Sequence, residues 1–244
     1  MKTYFLIAVL LLIGLQSTAH AQVFGQIVKY EGSVKVLRHE TNKSFFVTQV
    51  PFAIFKNDKL FTGKNSKAFL SLSDNSKMVV LSKTEFIVRD ITLIKMSVGK
   101  VIMDIVRRTV RRFKRFRIKT ASAVIGVKGT RFMVNSSGKT AQIYLKSGQL
   151  SVEAIEGKFR RIIQKLEDDF DESVKKDEKD FDDFVKKQDK DFDEFVDKQE
   201  KAFEQFVKHF EIKSGQSIVI SGQEVRNIRT PKELDQEFKL LDNW

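Results

Sequence analysis

The chain has 244 residues, a formal net charge of +12, 22 phenylalanines, two prolines and no cysteine. The lack of cysteine excludes disulfides, a thiol nucleophile and any cysteine-based metal site. A chain of this length can bury one good core and carry an appendage.

Residues 1–21 predict a secretory signal peptide. Lys2 precedes an apolar run over residues 4–15, and Ala19-His20-Ala21 forms a small-x-small cleavage site. The run is short for a membrane anchor. No cysteine follows the site, so lipid anchoring there is excluded. The mature chain is expected to be exported, to the periplasm or cell surface, with no transmembrane segment.

Residues 22–160 predict β-structure. Short runs rich in Val, Ile, Phe and Thr alternate with turn signals: Glu31-Gly32, residues 63–66, residues 73–76, Gly129-Thr130, residues 135–138 and Ser147-Gly148. Strands at this spacing suit a sandwich, barrel or solenoid. Within this region "RRTVRRFKRFRIK", residues 107–119, carries eight cations: Arg107, Arg108, Arg111, Arg112, Lys114, Arg115, Arg117 and Lys119. Such a strip suits an anionic envelope polymer or lipid head groups. A solvated hairpin arm is the plain structural alternative, and local attraction to an acidic part of the chain is a third. Nucleic acid is not expected for an exported chain.

Residues 161–211 predict a helical insertion. Four eleven-residue units follow without a gap: FDESVKKDEKD, FDDFVKKQDKD, FDEFVDKQEKA and FEQFVKHFEIK. Positions one, four and five fall on about a third of a helix surface. The candidate interface is Phe181, Phe184, Val185, Phe192, Phe195, Val196, Phe203, Phe206, Val207 and Phe210. Eleven residues over three turns give a nearly straight or weakly right-handed coiled coil. A continuous or once-broken helix that self-associates is expected. A hairpin is the alternative, as is a rod whose far end carries residues 212–244 to another chain. The charge is split accordingly. Residues 1–164 hold 29 Lys/Arg against 9 Asp/Glu, whereas residues 165–212 hold 10 against 18.

Residues 212–244 return to β-structure, with Gly215 and Gly222 as turns, and close with a short helix. Thr230 is the expected N-cap, Pro231 the first helical residue and Glu233 the partner in a capping box.

The segment "FRIKTASAVIGVKGTRFMV", residues 116–134, resembles the FecR domain, a periplasmic module. Thr120, Ala123, Gly126, Gly129, Thr130, Phe132 and Val134 fit that family's pattern, while Ala121 stands where proline is usual. Residues 57–88 and 140–152 resemble neighbouring family elements, with Asn57 and Asn75 at positions where glycine is common. "IKSGQSIVIS" resembles the closing strand. The resemblance covers roughly residues 25–154 and 212–223. It implies a mainly β fold of short stacked strands, solenoid- or sandwich-like, interrupted by the helical repeat. Similar insertions occur in FecR-domain envelope proteins of spirochaetes. In transmembrane members the domain relays a receptor signal to a cytoplasmic sigma-factor partner, which a chain without a cytoplasmic part would not do alone.

Catalysis has little support in the sequence. His39 and His209 are isolated, no nucleophile motif is present, and no metal-ligand spacing occurs. The pairs Asp180/Asp182 and Asp191/Asp193 read as solvated helix charge. No cofactor is expected. The reading is an exported, non-enzymatic FecR-like binding or scaffolding module of the bacterial envelope, self-associating or partner-binding through the repeat. The alternative is a surface adhesin, or a ligand-sensing component of an envelope signalling system.

Overall fold

The structure, a computed structural model, describes residues 22–106, 115–162 and 204–243. The chain is mainly β. The strands, in order, are β1 (Val23–Glu31), β2 (Val34–Arg38), β3 (Lys43–Phe46), β4 (Phe52–Phe55), β5 (Lys59–Thr62), β6 (Lys67–Leu72), β7 (Lys77–Val80), β8 (Glu85–Asp90) and β9 (Leu93–Asp104). They continue with β10 (Phe116–Lys119), β11 (Ala123–Val127), β12 (Arg131–Ser137), β13 (Thr140–Ser147), β14 (Gln149–Ala154) and β15 (Phe159–Ile162). After residue 203 come β16 (Glu204–Val207), β17 (His209–Lys213), β18 (Ser217–Ser221) and β19 (Glu224–Asn227). A helix, α1 (Leu234–Phe238), and a 3-10 turn (Lys239–Leu241) end the described chain.

The hydrogen-bonded ladders form two layers that share β9. Layer A runs β4-β1-β6-β7-β9-β12-β13-β18-β19-β15-β16. Layer B runs β3-β2-β5-β8-β9-β10-β11-β14-β17. The N-terminal half of β9 pairs with β8 and β10, and its C-terminal half with β7 and β12. Gly99 marks the change of layer, with φ +102; a Cβ there would stand 2.3 Å from the Thr84 Cα. Strands such as β2, β5, β8, β11 and β14 turn alternate residues inward, as period-2 patterning requires. The inward set forms one apolar cluster reaching from Phe24 to Val225, with Phe86, Ile94, Ile118, Phe132 and Phe210 among its members.

The turns sit where the sequence places them. Gly32, Gly129, Gly138, Gly148, Gly215 and Gly222 all adopt positive φ. Asn57 and Asn75 do so as well, at +67 and +65, which explains asparagine at positions where glycine is common. The Ala121 departure is absorbed locally. The Thr120 hydroxyl accepts the Ala123 N–H at 3.1 Å, and the Thr120 N–H donates to the Ala123 carbonyl, closing the turn without proline.

Two expectations are corrected at the ends of the repeat. Arg161 and Ile162 lie in β15, and residues 204–211 contribute β16 and β17 rather than helix. Phe206, Val207 and Phe210 are therefore not helix-interface residues. Val207 stands opposite Phe159 and Phe206 opposite Arg160. Phe210 is buried opposite Val152 and meets the Phe159 ring edge-on at 5.7 Å. The physical reason is the open ladder edges of β14 and β15, which the chain satisfies by alternation: Phe210 and Ile212 turn inward, while His209, Glu211 and Lys213 turn outward. The remaining repeat residues, Phe181, Phe184, Val185, Phe192, Phe195, Val196 and Phe203, lie outside the described residues, as does the stretch 1–21 for which a signal peptide is expected.

Ile162 and Glu204 are register partners in the antiparallel β15–β16 pair. The chain thus leaves and re-enters the fold at one place. The arrangement in which residues 212–244 sit at a rod's far end and pair with another chain is not the one found. β17, β18 and β19 pair with β14, β13 and β15 of the same chain.

The C-terminal helix starts later than expected. Glu233, not Thr230, is its N-cap, with no side-chain capping bond. The Thr230 hydroxyl lies 2.5 Å from Ser217 Oγ instead. Leu234, Phe238 and Leu241 cover the outer face of layer A, packing on Phe69, Val79, Ile102, Met133 and Tyr144. Ion pairs frame this contact: Lys146–Asp235, Lys100–Glu237 at 2.9 Å and Arg131–Asp242 at 2.8 Å.

Candidate functional site

On the outer face of layer B, between β2 and β10, six cations point away from the core: Lys35, Lys59, Arg89, Lys95, Arg117 and Lys119. Alternation explains each one. Ile94 and Met96 are buried on either side of Lys95, and Phe116 and Ile118 flank Arg117. The two lysines of adjacent strands stand together, because the parallel β9–β10 ladder sets Lys119 opposite Lys95. Like charges directly opposite across strands are destabilising. Among the described residues, Glu85 faces them 2.6 Å from Lys59, and Glu153 points outward on β14, opposite Val124 and two strands from Lys119.

The face is also partly apolar. Phe46 on edge strand β3 is 64% exposed, and half-buried Leu37, Phe61, Ile87 and Val124 share the surface. Lys35 and Lys59 place their ammonium groups 4.8 and 4.9 Å from the Phe61 ring. No described element covers this face, in contrast to the helix-covered face of layer A. A surface of this kind can hold an anion through fixed guanidinium and ammonium donors, and an apolar group beside it.

Three of the eight sequence-predicted cations fall here. Arg115 is exposed just before β10, and Arg117 and Lys119 point outward on it. Arg107, Arg108, Arg111, Arg112 and Lys114 lie outside the described residues. The sequence reading missed Lys35, Lys59, Arg89 and Lys95. Alternation in "EFIVRD" and "LIKMS" was the signal that they point outward, but their nearness to β10 depends on pairing. The FecR-motif residues prove structural. Ala123, Phe132 and Val134 are buried core, and a Cβ at Gly126 would lie 2.5 Å from Ser151 Oγ.

The rest of the surface offers little chemistry. A cavity of about 230 Å³ lies beside α1, lined by Lys100, Asn135, Gln142, Tyr144 and Glu237 among others; the Lys100–Glu237 ion pair occupies its polar wall. Burial, then the Glu237 charge, pushes the Tyr144 phenol up. The bond from Lys146 holds Asp235 below its usual range, and the bond from Arg160 does the same for Glu224. Bonds to Asp104 and then Asp242 raise Arg131. The shifts of Asp235, Glu224 and Arg131 belong to ion pairs that tie surface elements together. Among the described residues no group of three or more His, Asp or Glu is arranged to hold a metal. No helix among them is long and apolar enough to cross a membrane.

Comparison with known proteins gives a family and distant structural likenesses. No curated protein matches the chain. Two crystal structures of a protein described as a candidate anti-sigma factor from Parabacteroides distasonis, at 2.50 and 1.65 Å, are similar at 11% and 12% identity, each with a TM-score of 0.45. Each match covers 73% of this chain and 62% of the other, so the chain spans under two thirds of those proteins. The family model described as "FecR protein" matches residues 58–158. That stretch runs from β5 through both layers to the start of β15, and over it the chain is similar to the FecR family.

Proposed function

We propose that the protein is an exported, non-catalytic binding module of the bacterial envelope that recognises an anionic partner through the outer face of layer B. The observation that carries this reading is the in-register pair Lys95–Lys119, flanked by Arg89 and Arg117, on a sheet face that no described element covers. The fold places like charges in register there, and a bound anion would relieve their repulsion. The FecR domain and the predicted signal peptide support the envelope as the setting. In a signalling role, occupancy of this face would be the sensed state.

The test is vesicle co-sedimentation. Residues 22–244 should bind phosphatidylglycerol-containing vesicles and not phosphatidylcholine vesicles, with affinity falling as salt rises. Changing Lys95, Arg117 and Lys119 together to Ser should weaken binding about a hundredfold, at about 1 kcal/mol per cation near an anionic surface. Equal binding to both vesicle types would refute the reading.

A second reading is a protein contact, to another copy or a different chain, through the acidic repeat. Phe206 favours it: this side chain is 63% exposed on β16, the edge strand where residues 163–203 rejoin the fold.

A further inference from the structure

The molecule already shows how it covers a basic sheet face that has apolar patches. On layer A, Leu234 and Phe238 fill the apolar patch, while Asp235 and Glu237 pair with Lys146 and Lys100. The covering sequence is "LDQEF". The repeat contains "FDDFV" and "FDEFV", which share with it an apolar first and fifth residue and an acidic second one. Residues 163–203 hold 16 Asp/Glu against 9 Lys, whereas the face of layer B is basic.

From these observations we propose that the acidic repeat, residues 163–203, docks on the outer face of layer B of its own chain, with its carboxylates on Lys95, Arg117 and Lys119. This deepens the preceding proposal, because the repeat would then compete with an external anion for the same face.

The tether favours this occupant. The segment is anchored at both ends, at Ile162 and Glu204. β16 leads through Lys208 directly into β17, the edge strand of layer B. From β17 to β9 there are four strand spacings, about 19 Å. Half of the segment, about 20 residues, reaches roughly 30 Å even when helical. A short tether makes the encounter intramolecular, with an effective concentration in the millimolar range. A soluble competitor of equal intrinsic affinity must exceed that concentration to displace it.

The test uses the full chain from residue 22, mixed from isotopically light and heavy protein, with zero-length carbodiimide coupling at low salt. The expected products join Lys95 or Lys119 to carboxylates within residues 167–200, in pairs of like isotope. Absence of such products overturns the proposal. Products of mixed isotope alone overturn it in favour of a second copy. A second measurement separates this proposal from the anionic-partner reading. Ile162 and Glu204 are joined by Asn-Gly, a turn suited to their antiparallel pairing, and vesicle affinity is compared with the full chain. Binding that tightens roughly tenfold or more supports docking by the repeat; unchanged binding counts against it. Like-isotope coupling without vesicle binding by either protein would leave docking standing and refute the anionic-partner reading.

Discussion

Asp58 is fully buried, and its carboxylate takes the Arg38 guanidinium at 2.6 Å and the Phe55 and His39 N–H groups at 2.9 and 3.2 Å. Arg38 also lies over the Phe55 ring at 4.6 Å. A buried pair adds little net stability, but breaking it strands a charge. Arg38→Met keeps bulk against the rings and leaves the carboxylate with amide partners only. It should cost about 3–5 kcal/mol in urea denaturation. A loss below about 1 kcal/mol would mean that the two amides suffice. Asn57 and Asn75 belong to the same class of residue that the sequence marks plainly: positive φ without a side-chain role in the core.

Among the elements, β9 decides the architecture, since it is the strand common to both layers. Gly99 permits this through its positive φ and its closeness to Thr84. Gly99→Ala should therefore lose at least about 2 kcal/mol, combining left-handed strain with overpacking against backbone. Gly222→Ala is the control, because its φ is also positive but nothing lies within 4 Å of the added Cβ. Strain alone should cost it about 1 kcal/mol. Thermal melts of the two variants check the difference, and equal losses would show that Thr84 yields. The ends of the repeat carry a related lesson. The unit "FEQFVKHFEIK" preserves the eleven-residue pattern, yet it also alternates from Phe210 onward, and pairing with β14 selects alternation.

For the molecule as a whole, the two outer faces differ in cover. Truncation after Arg229 would uncover Phe69, Val79, Ile102, Met133 and Tyr144. Leu234, Phe238 and Leu241 each contribute about 1.5–3 kcal/mol when fully buried, as an upper estimate. The truncated chain should keep its β circular dichroism, bind more hydrophobic dye and melt earlier. Unchanged dye binding would show that the apolar patch closes by itself. The repeat is tested at this scale by light scattering of residues 22–244 with and without residues 163–203. Oligomer in the first and monomer in the second would establish self-association through the repeat, and monomers in both would refute it. A deletion reaching residue 211 is unsuitable, because it removes β16 and part of β17 along with the repeat.

Strand content, the turns, the inward and outward alternation and the FecR pattern were all legible in the amino-acid order, because each depends on a few neighbouring residues. The outward direction of Arg117 and Lys119 was legible for the same reason. Which strands become neighbours was not. Lys95 meets Lys119 only through a parallel ladder between strands separated by residues 105–115, and residues 209–213 become a strand only because β14 offers an unpaired edge. Backbone groups inside a fold must find partners, and those partners are supplied by distant parts of the chain. That requirement overrode the helical period at the end of the repeat, and it gathered scattered cations of β2, β5, β8, β9 and β10 onto one face.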